Sequence, residues 1–83
     1  MEVVKSLLDK IVKTIVDDQD KVTITFEETE KGNLFTIKVG KGDVGKVIGK
    51  QGRIASAIRT LAKAAGSKQG MKVMVNVFKD PVE

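Results

Sequence analysis

The chain has no cysteine, no histidine, no tryptophan and no tyrosine, and its single proline is Pro81. Without cysteine there are no disulfides and no thiolate metal sites, which fits a reducing compartment. Without histidine, the commonest general base and the commonest metal ligand are both missing. The expectation is a protein that is not an enzyme, with no catalytic residue, no metal, no other cofactor and no small-molecule substrate. No apolar run approaches the ~20 residues that span a bilayer. Nor does a charged-then-apolar leader open the chain. A cytoplasmic location away from membranes is the corresponding expectation. At 83 residues, 41% hydrophobic and 31% charged, the composition is that of one small globular domain over residues 1–83.

What is present is unevenly placed. Residues 1–40 carry six Lys against eight Asp and Glu, a balance of −2. Residues 41–72 carry eight Lys and Arg against Asp43 alone, a balance of +7. Such asymmetry is an electrostatic footprint for a polyanion. A solvated basic helix without a partner would show the same charge.

Apolar spacing predicts a helix over 2–17, with Val3, Val4, Leu7, Leu8, Ile11, Val12, Ile15 and Val16 in one stripe. A stripe this broad could leave an edge for dimerisation. "KVTITFE" alternates Val22, Ile24 and Phe26 with Thr23 and Thr25, as a half-buried strand does. Gly32 and Asn33 are expected in the turn of a hairpin leading to a second strand, "LFTIKV". Asp43 is the expected N-cap of a short helix over 44–48. A second helix is expected over 53–65, with Gly66 as its C-cap. On that helix Ile54, Ile58, Leu61 and Ala65 form the expected apolar side, opposite Arg53, Ser56, Arg59, Thr60 and Lys63. "MKVMVNVF" reads as a last strand with Val73, Val75 and Val77 inward, and Pro81 follows where it disrupts no ladder. The order α-β-β-α-α-β implies an α+β two-layer domain with one face of a three-stranded sheet covered by three helices. The direction of the last strand is left open.

The segment "DVGKVIGKQGRIA" joins three glycines to three bases. Gly40 to Lys46 matches G-x-x-x-x-G-K, but Val47 stands where a phosphate loop needs a hydroxyl for Mg²⁺. Gly45, Gly49 and Gly52 are spaced four and three apart, which is not the dinucleotide-binding G-x-G-x-x-G. The remaining pattern is G-x-x-G: Gly49, Lys50, Gln51 and Gly52 between two helices. Glycines at both ends let the backbone turn tightly and leave no side chain to hold a sugar-phosphate strand away. Amides there, with the N-terminus of the following helix, can bind phosphate oxygens.

The run "DVGKVIGKQGRIASAIRTLAKAA" resembles the signature of KH domains in their prokaryotic type II arrangement. The whole chain is similar to the stand-alone bacterial KH proteins of the KhpA group. That resemblance implies a type II KH fold, a mixed three-stranded sheet with three helices on one face. It implies binding of single-stranded RNA, with Gly49, Lys50, Gln51 and Gly52 clamping about four nucleotides. Val44, Val47, Ile48, Ile54, Ile37 and Val39 would line the adjoining groove, and Lys46, Arg53 and Arg59 would flank the strand. With Phe as the only aromatic, bases would rest on aliphatic side chains, favouring loose sequence preference. The family also implies an RNA chaperone that influences cell elongation and wall synthesis, as a homodimer or paired with a KhpB protein of the Jag or EloR type.

Simpler roles would account for several of the same residues. Gly45 could serve only close helix packing, and Arg59 and Lys63 could be a solvated face. From another class, the same helix-loop-helix surface could be a dimerisation module.

Overall fold

A computed structural model of the chain describes residues 2–77. The elements are α1 (Glu2–Ile15), β1 (Thr23–Thr29), β2 (Gly32–Lys38), α2 (Val44–Ile48), α3 (Arg53–Lys68) and β3 (Val73–Val77). Single 3-10 turns occupy Gln19–Lys21, Lys41–Asp43 and Lys50–Gly52. This is the α+β order expected from the sequence. Phe78 and Pro81 lie outside the described residues.

On α1 the four-residue spacing of Val4, Leu8 and Val12 places all three against the core, where each is fully buried. Full burial of such a side chain stabilises the fold by roughly 1.5–3 kcal/mol. The Asp9–Lys13 pair on the solvent side, 3.3 Å apart and exposed, adds a few tenths of that at most.

The sheet order is β1-β2-β3. β1 and β2 are antiparallel, with Ile24 opposite Ile37 and Phe26 opposite Phe35. β2 and β3 are parallel, with Phe35 beside Val75 and Ile37 beside Val77. A parallel return needs a crossover connection, and α2 with α3 supplies it. Period-two alternation then sends Phe35, Ile37, Val73, Val75 and Val77 into the core. Thr23, Thr25, Glu27, Thr36 and Asn76 fall on the opposite side. Phe26, on the edge strand, keeps part of its ring exposed and packs on Phe35 with centroids 5.0 Å apart.

Two turns differ from expectation. The hairpin reverses at Glu30–Lys31, and Gly32 already pairs with Thr29 in the ladder. Asn33 is drawn into the sheet because its amide and its side-chain Nδ2 both donate to the Lys72 carbonyl, at 2.9 and 3.1 Å. Gly66 does not end α3, which continues to Lys68. It is buried against Val73, and a β-carbon there would stand 2.3 Å from Val73 Cγ2. Its smallness sets how closely α3 approaches β3.

The buried face of α3 also differs. Ala55, Ile58, Ala62 and Gly66 face the core, while Ile54 and Leu61 are exposed. Close packing selects the small residues and leaves the two large aliphatics outside.

Candidate functional site

The glycine-rich loop sits at a junction built by Asp43. As the residue before α2, Asp43 makes no side-chain capping bond to that helix. Its buried carboxylate instead accepts the Asp17 amide on Oδ1 and the Asp18 amide on Oδ2, both at 3.0 Å. The start of α2 is thereby tied to the chain leaving α1. Those two amides hold the Asp43 carboxyl below the usual carboxylate range; burial opposes them, and Lys46 lends further support.

Lys46 closes the junction from outside. Its ammonium pairs with the Asp17 carboxylate and lies 3.4 Å from Asp43 Oδ1. The bond to Asp17 is the main cause of a Lys46 pKa above the ordinary lysine value, with Asp43 adding to it. A lysine expected to flank a ligand is thus engaged within the fold. Ile37 and Val47 also depart from their expected place. Both are fully buried, as Val39 is almost wholly, so they offer a ligand no surface. Gly45 does not serve close packing, since a β-carbon there would meet nothing within 4 Å.

From Val47 the chain enters the loop. The Gly49 amide donates to Gly45 O at 2.8 Å, closing α2. Gly49 then adopts φ 73° and ψ 177°, a region that is essentially glycine's alone. Gly52 is left-handed at φ 74° and ψ 15°. Between them Gln51 is also left-handed, with φ 57° and ψ 26°. No other non-glycine residue among those described has a positive φ. Such a conformation costs on the order of 1–2 kcal/mol.

Two of the four loop amides are used internally, that of Gly49 on Gly45 O and that of Gly52 on Gly49 O at 3.2 Å. Among the described residues, the amides of Lys50 and Gln51 have no loop or cap backbone partner, and both residues are exposed. α3 begins immediately after, without a side-chain cap and without an acidic residue in its first turn. The partial positive charge of a 16-residue helix is therefore left uncompensated. Lys50 and Arg53 add full charges to the same end, and neither forms an ion pair among the described residues.

Beside the loop is a cavity of about 340 Å³ lined by Ile48, Gln51, Gly52, Ala55, Arg59 and Val77. Four of these are expected from the sequence, and Ala55 and Val77 are not. Ala55 lies one turn before Arg59 on α3, so the i, i+4 spacing carries a signal for it. Arg59 is no free solvated cation: its Nε donates to the Val75 carbonyl at 3.1 Å, fixing the guanidinium over the α3–β3 seam. Chemically, the site offers the exposed backbone of Lys50 and Gln51 with two cations at one end and an aliphatic floor at the other.

Residues 5–77 match the family model described as KhpA/KhpB, KH domain. The chain belongs to that family. It is 47% identical over 74 residues to the RNA-binding protein KhpA of Listeria monocytogenes, covering 89% of this chain and 97% of that one. It is 46% identical to the protein of the same name from Clostridium acetobutylicum, over 89% of this chain and 99% of the relative. The Aquifex aeolicus KhpA is 41% identical over 94% and 99% of the two chains. These relatives are named for binding and not for a reaction, in keeping with the expectation of a non-enzyme. A crystal structure of Aquifex aeolicus Era superposes with a TM-score of 0.61 at 11% identity, over 92% of this chain and 29% of that one. At that identity the likeness concerns the fold alone. Among the described residues no helix is long and apolar enough to cross a membrane.

Proposed function

We propose that this protein binds single-stranded RNA, holding the backbone of about four nucleotides on the Gly49–Gly52 loop. The observation that carries this is the loop's conformation: two positive-φ glycines and a left-handed Gln51 lead directly into the uncapped N-terminus of α3. Phosphate oxygens fit donors at such a helix start, and at Gly52, where a β-carbon would meet nothing within 4 Å, no side chain keeps a strand at a distance. Bases would lie in the adjoining cavity against Ile48, Ala55 and Val77, with Gln51 and Arg59 as its polar groups. Lys50 and Arg53 supply attraction along the backbone.

The test is a titration of a short single-stranded RNA at several salt concentrations. Four phosphate contacts give a log–log slope near −3, at roughly −0.7 per phosphate on single strands. A flat response would rule out backbone clamping as the source of affinity.

Membership of the family supports three broader proposals: an RNA-chaperone role in the cytoplasm, pairing with a KhpB protein, and influence on cell elongation and wall synthesis. It also supports assigning the fold to the type II arrangement. Self-association is favoured by a separate feature. Ile54 and Leu61 are 36% and 52% exposed on one side of α3, and Ala57 and Ala64 are exposed beside them. That stripe begins against the loop, since Ile54 packs on Gly49, and runs away from it to Leu61 and Ala64. A protein that stays monomeric at high concentration in sedimentation would remove this second surface.

A further inference from the structure

The cavity at the loop is not the only recess along α3. A second, of about 400 Å³, is lined by Lys63, Ser67, Met71, Lys72, Val73 and Met74. The helix repeat relates the two. Ala55, Arg59, Lys63 and Ser67 follow at steps of four and form one flank of α3. The first pair lines the cavity at the loop, and the second pair lines the distal one. β3 runs back along the same flank, giving Val77 to the first recess and Val73 and Met74 to the second. Midway, the Arg59 guanidinium is anchored on the Val75 carbonyl. The two recesses thus follow one another along α3 and β3, and the row from Ala55 to Ser67 that borders both is about 18 Å long at 1.5 Å per residue.

The charge of the seam has one sign. No Asp or Glu occurs from Val44 to Val77. Lys63 and Lys72 form no ion pair among the described residues. The distal recess combines these two cations at its rim with methionine and valine side chains; Met71 is 44% exposed. Flexible thioethers adapt to flat apolar partners, and the lysines match phosphate.

We infer that the distal recess is a second nucleotide subsite, so that an RNA strand leaving the loop continues along the α3–β3 seam past Arg59. This rests on the loop being the RNA grip proposed above. The footprint is then longer than the loop's four nucleotides, and Lys63 and Lys72 each meet a phosphate that a minimal ligand does not reach.

The test compares a four-nucleotide and a ten-nucleotide single-stranded RNA on the wild type and on a Lys63→Gln, Lys72→Gln double variant. Both positions are exposed, and exposed, unpaired lysines contribute little to folding. The variant is expected to bind the short RNA as the wild type does. On the long RNA it is expected to lose about tenfold in affinity at low salt, with a salt slope shallower by about 1.4, from two phosphates at 0.7 each. The methyl resonances of Met71 and Met74 in the wild type should shift with the ten-mer and not with the four-mer. Equal affinity and equal slope on the long RNA would overturn the subsite, as would unmoved methionine methyls. Failure of the loop itself looks different: a Lys50→Asp, Gln51→Asp variant would then bind both RNAs normally, while the lysine pair would still affect the long one.

Discussion

Ile54 packs directly on the α-carbon of Gly49: a β-carbon built at position 49 would lie 2.6 Å from Ile54 Cγ1. The first residue of the loop is thus glycine for two independent reasons, its backbone conformation and its neighbour. Gly49→Ala should cost about 2–6 kcal/mol, combining about 1–3 for the backbone with about 1–3 for overpacking. Urea denaturation measures this. Adding Ile54→Ala removes Cγ1 and Cδ1 but leaves Cβ 2.9 Å from the new β-carbon, so it should relieve only part of the packing cost and none of the backbone cost. A wild-type midpoint for Gly49→Ala would refute both reasons.

Asp43 makes stability depend on pH. Its folded-state carboxyl titrates below its unfolded value because the Asp17 and Asp18 amides favour the charged form. That contribution is present in full above about pH 4 and is lost as pH falls through the depressed folded value. Asp43→Asn keeps the shape, but its NH₂ group faces an amide where a carboxylate oxygen accepted one. The variant should melt lower than wild type at pH 7, and the gap should narrow as the pH is taken below 4. A gap that stays constant from pH 7 to pH 3 would contradict this role.

Gln51 should reveal a conflict between stability and binding. Gln51→Gly relieves a left-handed conformation worth about 1–2 kcal/mol but restores unfolded-state freedom worth about 0.4–1. A small net gain in melting temperature is expected. RNA affinity should fall, because the side chain lining the cavity is gone. A variant both less stable and equally tight in binding would refute the assignment of strain to function.

Much of this is legible in the sequence, and the misses share a cause. The stripe of α1, the hairpin and the G-x-x-G loop are local patterns, and periodicity exposes them. Strand alternation has no direction, so it does not reveal that β3 runs parallel. Gly66 resembles a helix end because its contact with Val73 is tertiary. Hydropathy ranks Ile54 and Leu61 above Ala55 and Ala62, whereas a close helix–sheet approach needs the smaller pair inside. Asp43 stands beside a helix and so resembles its cap, but its partners are 25 and 26 residues away. Lys46 looks free for a ligand for the same reason: its acidic partner Asp17 is remote in sequence.

The most direct measurement is RNA binding by a Lys50→Asp, Gln51→Asp variant whose folding is checked alongside. Both residues are exposed, and aspartate tolerates the left-handed conformation at position 51 better than most residues. Surface changes usually stay within about 0.5 kcal/mol each, and acidic charge near the α3 N-terminus is mildly favourable. The circular dichroism spectrum and melting temperature should therefore match the wild type. Single-stranded RNA affinity should fall at least about tenfold, or ~1.4 kcal/mol, through lost contacts, charge repulsion and competition for the loop amides. A folded double variant that binds RNA as tightly as the wild type would contradict the central claim that Gly49–Gly52 is where the strand is held.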